Sequence, residues 1–195
     1  MKHMTAKSDD NPYLGGKLLL AMPTMADPRF EKAVIFICSH DANGAMGLVI
    51  NQPMYGLQMG QLFRQLDIPT TTQAPIDQEV LQGGPVDTAR GFILHTPEFS
   101  QSETTQVNEQ YAVTGTIEAL KSIALGEGPL RMLFALGYSG WTAGQLDREL
   151  LENSWLVLDA EHDLLFNTQS SDMWDRAIAR LGVNPLMLSG LVGQA

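Results

Sequence analysis

The sequence predicts an α+β fold, a single domain with a largely antiparallel sheet and short helices. Three observations support this class. Short apolar runs occur in hairpin-like groups, single amphipathic stretches separate the groups, and no internal repeat or linker divides the 195 residues. A chain of this length is expected to form one domain, and it can bury roughly 70% of its extended surface.

The start of the chain is polar and lacks the apolar segment of a signal peptide. We expect residues 1–12 to be a disordered lead-in and residues 13–195 to form the single domain. No stretch approaches the ~20 apolar residues of a membrane helix. We therefore expect a cytoplasmic protein without membrane contact.

The first strands are predicted by three apolar runs. Residues 18–22 form a run that Pro23 stops, which is typical of a buried strand. The runs at 34–38 and 46–50 are joined by a turn that contains Asn43-Gly44. Because Asn-Gly tolerates a positive φ at a hairpin tip, these two runs predict an antiparallel pair.

The remaining elements follow from the same patterns and are given in chain order. We predict an imperfect helix over 57–66, strands at 80–81 and 91–95, a strand ending near Val113, a helix over 117–124 ended by Gly126, a core strand at 130–136, a final hairpin of 155–158 with 164–166, and a helix over 173–181 ended by Gly182.

The charge balance argues against one class of partner. The chain carries 22 acidic and 12 basic residues, for a net charge of −10. Proteins that bind nucleic acids without sequence preference neutralise phosphates with clustered Lys and Arg, and this sequence has no run of bases. We therefore expect no direct contact with nucleic acid.

Metal and cofactor sites are not predicted. The single Cys38 excludes an internal disulfide and any metal site built from several cysteines, and its apolar flanks indicate a buried small hydrophobe. The four histidines show no local spacing that builds a metal site. Neither a phosphate-binding P-loop nor a glycine-rich dinucleotide fingerprint is present.

Residues 137–141 carry the pattern Gly-Tyr-Ser-Gly-Trp, which we interpret as the exit of a strand into a helix. A sharp Gly-x-Ser turn in that context indicates a nucleophile elbow, although Trp141 stands where the second glycine of that motif belongs. A serine nucleophile also needs a base, and the candidates are His40, His95 and His162, of which His95 lies at a strand end. A small-molecule hydrolase using Ser139 with His95 is therefore one hypothesis.

Local rules explain the same segment without catalysis. Thr142 and Gln145 have the spacing of a capping box at a helix N-terminus, and Trp141 and Leu146 have that of a hydrophobic staple. The carboxylates of Glu149 and Glu152, farther along this helix, are expected to face water.

The other hypothesis is a non-enzymatic binding or regulatory protein. Its cleft would use groups at predicted strand and helix ends, where binding residues usually collect. In the Gly83-Gly84 turn, backbone N–H groups could form an anion nest, or the glycines could serve only the tight turn. The candidate binding residues are Asn51, Gly83, Gly84, His95, Tyr138 and Gln145. This hypothesis requires the six positions to converge in the fold.

An ordered series of motifs resembles one known family, the YqgE/AlgH family of bacterial proteins. The resemblance runs from about Gly15 to Ala195, and its motifs lie at 16–23, 44–53, 83–86, 94–95, 137–141, 144–146 and 153–155. It implies a compact α+β fold with strongly bent, bifurcated sheets. One branch of the family carries the label of a transcriptional regulator linked to alginate production.

The resemblance brings no established catalytic residues. The family pattern often has Ala at the position of Ser139, which disfavours a serine nucleophile. We therefore expect a cytosolic binding or regulatory protein that works through a protein partner or a small-molecule ligand, and no cofactor.

Overall fold

The computed structural model describes residues 12–184 and 187–188. In this part of the chain the strands are β1 (Lys17–Ala21), β2 (Val34–Asp41), β3 (Gly44–Val49), β4 (Pro53–Gln58), β5 (Glu79–Gln82), β6 (Val86–His95), β7 (Thr105–Gln106), β8 (Ala112–Thr114), β9 (Met132–Thr142) and β10 (Trp155–Asp159). The helices are a short 3₁₀ helix (Pro28–Phe30), α1 (Met59–Gln65), α2 (Ile117–Ala124), α3 (Gln145–Leu151), α4 (His162–Phe166) and α5 (Ser170–Arg180).

Strand β9 is the branch point of the sheet. The main order is β10-β1-β2-β3-β9-β6-β8-β7, and β4 pairs with β5 off this path. Residues 134–136 of β9 pair in parallel with β5 and antiparallel with β6, whereas residues 139–142 pair antiparallel with β3. All other pairings between the described strands are antiparallel.

Both faces of the sheet are buried at β1 and β2, which is why these strands are continuous apolar runs instead of alternating ones. Leu18 and Leu20 point to one face, and Leu19 to the other, as the two-residue period of a strand requires. Helices α4 and α5 cover the first face, and α3 covers the second with Leu146.

Helices α1 and α2 pack against the part of the sheet formed by β5, β6 and β9. Their apolar side chains, with Phe63 and Ile123 among them, meet Val80, Ile93 and Phe134 of three neighbouring strands. Thr116 caps α2 by accepting a hydrogen bond from the N–H of residue 119.

The fold class is the one expected: one compact α+β domain whose bent, branched sheet is largely antiparallel. The hairpin of β2 with β3 and the helix at 117–124 are also as predicted. The predicted lead-in lies outside the described residues except for Pro12. Among the described helices, none has the length and apolarity needed to cross a membrane.

The predicted final hairpin is wrong. Residues 162–166 form helix α4, and β10 pairs instead with β1, from Lys17↔Asp159 to Ala21↔Trp155. Leu164 and Leu165 are both buried, which a helix covering the sheet allows and an alternating strand does not. Strand β10 thus finds its partner far away in the sequence.

The predicted start of the helix at 142 is wrong as well. Strand β9 continues to Thr142, and Gly144 is the N-cap of α3 with a left-handed φ of 68°. One half of the expected capping box is present, since Gln145 Oε1 accepts the Thr142 N–H at 3.0 Å. Trp141 and Leu146 are buried in one apolar cluster.

Candidate functional site

Three glycines meet where β9 changes partners. A Cβ atom at Gly83 would lie 2.3 Å from the carbonyl oxygen of Gly137, and one at Gly137 would lie 2.6 Å from that of Gly84. A Cβ atom at Gly84 would approach the Tyr138 carbonyl carbon to 2.2 Å. Only glycine permits this crossing of two backbones, so these motifs serve the branch of the sheet.

The Gly83 amide is not free for an anion. Its N–H donates to the carbonyl oxygen of Leu136 at 2.8 Å, and its own carbonyl oxygen accepts from Val49 at 2.8 Å. The first N–H of the expected nest is therefore part of the sheet.

Ser139 lies inside a strand and not on a strand-to-helix turn. It pairs with Gly47 of β3, its side chain is fully buried, and its Oγ donates to the Gly83 carbonyl oxygen at 3.4 Å. A nucleophile elbow exposes its serine at a sharp turn, and this geometry is absent around Ser139.

His95 does not reach Ser139. His95 pairs with Met132, which lies seven residues before Ser139 on β9. At the rise of a β-strand this separation is about 23 Å. A nucleophile and its base must approach within hydrogen-bond distance, so the two residues cannot act as a pair.

A chain of hydrogen bonds fixes the orientation and the tautomer of the neutral His95 imidazole. Its Nδ1 lies 2.8 Å from the carbonyl oxygen of Thr96, which can only accept, so Nδ1 carries the proton. Its Nε2 accepts from Thr114 Oγ1 at 2.8 Å, and Thr104 donates to Thr114 at 2.7 Å. Burial lowers the pKa of His95, which favours the same neutral form.

Asn51 is committed to the backbone. Its Oδ1 accepts from the N–H of Val34 at 2.8 Å and its Nδ2 donates to the carbonyl oxygen of Lys32 at 2.9 Å. Tyr138 packs edge-on against Phe92 at 5.8 Å and lines a separate cleft. None of the other expected binding residues lines the cleft that contains the Tyr138 side chain.

The carboxylate of Glu149, which was expected to face water, accepts three side-chain hydrogen bonds. Glu149 Oε2 accepts the indole N–H groups of Trp141 at 2.8 Å and Trp155 at 2.7 Å, and Oε1 accepts from Gln145 Nε2 at 2.9 Å. Both tryptophans are buried, with 7% and 5% of their surface exposed. The i, i+4 spacing of Gln145 and Glu149 was a detectable signal, but the partners from β9 and β10 were not. Glu152 is exposed, as expected.

These side chains line a cleft of about 390 Å³, which we call the Trp–Glu cleft. Phe30 packs edge-on against Trp155 at 5.8 Å, and Arg29 binds Asp27 with a 2.6 Å ion pair. The hydrogen bond from Arg29 lowers the pKa of Asp27. The cleft is defined by Met25, Ala26, Asp27, Arg29, Phe30, Pro85, Val86, Ser139, Gly140, Trp141, Gln145, Glu149, Glu152, Ser154 and Trp155.

Of the six expected binding residues, Gln145 alone lines the Trp–Glu cleft. Gln145 holds the carboxylate in the Trp–Glu cleft, and Gly84 precedes Pro85, which lines it. Ser139 lines the same cleft as a buried hydroxyl. The side chains of His95, Asn51 and Tyr138 do not line this cleft, although the backbone of Tyr138 contacts Gly84 at the strand crossing.

The described residues bear on two kinds of chemistry, that of metal ions and that of a reactive thiol. Among the described residues, no group of three or more His, Cys, Asp or Glu side chains could hold a metal ion. Burial raises the pKa of the Cys38 thiol to about 12, so this residue is a poor nucleophile.

Comparison with known proteins identifies the family. A family model described as AlgH-like (DUF179) matches residues 18–186. The chain belongs to the AlgH-like family. A UPF0301 protein of Jannaschia sp. is 48% identical over 187 residues, which cover 93% of this chain and 95% of the relative. A UPF0301 protein of Ruegeria pomeroyi is 44% identical, with 93% and 99% covered.

Two solved structures share the fold of this AlgH-like chain. The solution structure of AlgH from Pseudomonas aeruginosa superposes with a TM-score of 0.78 at 41% identity, covering 97% of this chain and 98% of the other. A crystal structure of protein DIP2367 from Corynebacterium diphtheriae has a TM-score of 0.70 at 18% identity, covering 97% and 94%. The second likeness concerns the fold alone.

Proposed function

We propose that this AlgH-like chain is a non-enzymatic binding protein that takes a small-molecule ligand in the Trp–Glu cleft. The observation that carries the proposal is the Glu149 carboxylate, which three neutral donors hold in one orientation in an open cleft. A few fixed polar groups among aromatic and apolar walls are typical of ligand sites.

The setting of Glu149 favours recognition over catalysis. Its donors come from β9, β10 and α3, so the carboxylate is positioned by rigid elements instead of loops. Preorganised groups reduce the ordering cost of binding. The hydroxyl of Ser139 in the same cleft has no base at hydrogen-bond distance among the described residues, which argues against the hydrolase hypothesis.

A regulatory role would then pass through α3. This seven-residue helix carries Gln145 and Glu149 at the cleft, and its Asp147 lies 3.8 Å from His40 on β2. A ligand that binds Glu149 would therefore affect contacts on both sides of α3, namely those of Glu149 with the two tryptophans and that of Asp147 with His40. The net charge of −10 favours a protein partner over DNA as the recipient of that signal.

The three indole N–H groups provide the experiment. Trp141 and Trp155 donate to Glu149, while Trp174 donates to the Ala21 carbonyl oxygen at 3.0 Å in the core. In ¹H–¹⁵N spectra recorded during a metabolite screen, a ligand of the cleft should move the first two signals and leave that of Trp174 in place. If every stabilising compound in a parallel thermal-shift screen leaves both cleft signals unmoved, the site is wrong.

A second measurement tests the route to transcription. We expect no binding of duplex DNA by the pure protein at physiological salt. Submicromolar binding with a steep dependence on salt would contradict a role through a ligand or a protein partner.

A further inference from the structure

We infer that the ligand of the Trp–Glu cleft is an alkylammonium compound, a protonated amine with an apolar body. This inference rests on the proposed binding function and names its ligand class. It comes from three features of the cleft: an unfilled acceptor position, the charge of the lining and the nature of the walls.

The acceptor position is on Glu149. An ionised carboxylate offers about four lone-pair sites, and the two indoles and the Gln145 amide use three of them. Two of these donors bind Oε2 and one binds Oε1, which leaves Oε1 able to accept again. Because the carboxylate lines the cleft, a ligand that donates a hydrogen bond can reach it.

The charge of the lining selects a cation. Arg29 is bound bidentately by Asp27, which neutralises both. In the described part of the chain, the ion pairs include neither Glu149 nor Glu152. Two negative charges therefore remain uncompensated at the cleft, and they attract a cation and repel an anion.

The walls select the rest of the molecule. Met25, Phe30, Pro85 and Val86 provide an apolar surface beside the carboxylate, and Val86 is 38% exposed before any ligand is bound. Burying an alkyl chain against these side chains contributes binding that does not depend on charge.

Matched probes separate these contributions. Hexylamine, hexanol and hexanoate share a chain and differ in charge at the head, so each is titrated into the full-length protein while the three indole N–H signals are followed. We expect hexylamine to move the Trp141 and Trp155 signals with about tenfold higher affinity than hexanol, because hydrogen bonds to charged groups are stronger. Hexanoate should have no effect, and added salt should weaken the binding of hexylamine.

Two variants identify the carboxylates. Glu149→Gln should abolish the preference for hexylamine over hexanol, and Glu152→Gln should reduce it several-fold. Glu152 makes no side-chain hydrogen bond among the described residues, so its variant leaves the indole contacts intact if Glu149→Gln perturbs folding. Glu118→Gln, on the exposed first turn of α2, is the matched control and should bind like the wild type.

The possible results test the alkylammonium class of the ligand separately from the Trp–Glu cleft as its binding site. Equal or tighter binding of hexanol or hexanoate at the cleft signals would overturn the alkylammonium class and leave the cleft as the binding site. Movement of all three indole signals by hexylamine would mean a global effect and would also overturn it. If no probe moves the cleft signals but a screened metabolite does, the class is wrong, whereas no response to any compound overturns the proposed function itself.

Discussion

The backbone of Gly83 lies against the backbone of Gly137, so close that a methyl group on Gly83 would fall 2.3 Å from the Gly137 carbonyl oxygen. The contact joins the end of β5 to the point where β9 leaves β5 and turns to β3. The glycine motifs at 83–84 and 137–141 suggested an anion nest and a nucleophile elbow. In the structure they form the two sides of one backbone crossing in the sheet.

The first prediction concerns this crossing. Gly83→Ala should lower the free energy of unfolding by about 1–3 kcal/mol, because the new methyl group overpacks a backbone contact. Gly15→Ala is the matched control, since apart from its chain neighbours no atom of the described residues lies within 4 Å of its added Cβ. Urea denaturation of both variants measures the difference in the free energy of unfolding. Equal stability would show that the two strands move apart at little cost in free energy.

The second prediction concerns the indole acceptor. Glu149→Ala should leave the N–H groups of two buried tryptophans without a partner, at about 1–3 kcal/mol for each. Glu149→Gln keeps an amide oxygen that can accept a hydrogen bond, so this variant should lose less stability than Glu149→Ala. The exposed Glu152→Ala should stay within about 0.5 kcal/mol of the wild type. A Glu149→Ala protein as stable as Glu152→Ala in chemical denaturation would mean that water replaces the carboxylate.

The third prediction is a pH dependence from His95. Burial lowers its pKa in the folded protein below the ordinary 6.5, so the unfolded chain binds a proton that the folded chain does not. The stabilising contribution is therefore present above pH 6.5 and is lost as the pH falls from there toward the folded-state pKa.

Two histidine variants test this sign. His95→Gln, whose amide can both donate and accept, should flatten the fall in stability measured between about pH 7 and 5. His162→Gln changes an exposed histidine and should keep the wild-type slope. The same slope in wild type and His95→Gln would show that another group titrates there.

The fourth prediction concerns the tether of the first described residues. His40 Nδ1 accepts the Leu14 N–H at 3.2 Å, and the Tyr13 ring packs edge-on against the imidazole at 5.4 Å. In His40→Ala, the Leu14 amide should exchange with solvent faster in hydrogen-exchange NMR. The Gly16 amide donates to the Ile37 carbonyl oxygen and should keep its protection as an internal reference. Unchanged exchange at Leu14 would mean that the tether does not depend on the imidazole.

Much of the fold could be predicted because the signals are local. The apolar runs of β2 and β3 lie on either side of an Asn-Gly turn, and that turn defines their pairing. Helix α2 is equally local, since Thr116 caps its start and Gly126, with a φ of 83°, ends it. The mistaken hairpin at 155–166 marks the limit, because the partner of β10 is β1, at the opposite end of the described chain.

The candidate site could be predicted only in part. Gln145 was singled out for its place near a helix start, and it does hold Glu149. His95 and Asn51 also lie at strand ends, but their hydrogen bonds are used within the structure. A position at an element end does not reveal whether a side chain is committed to the backbone, since that depends on which strands become neighbours.

The sequence by itself determined the α+β class, most element positions and the acidic charge, since these follow from short-range periodicity, turn residues and composition. Tertiary structure alone decided that the glycine motifs form the branch of the sheet and that Ser139 and His95 stay apart. It also decided that Glu149 joins Trp141 to Trp155. The physical reason is that β9 exchanges one partner strand for another along its length, and contacts between residues distant in sequence arise only from that pairing.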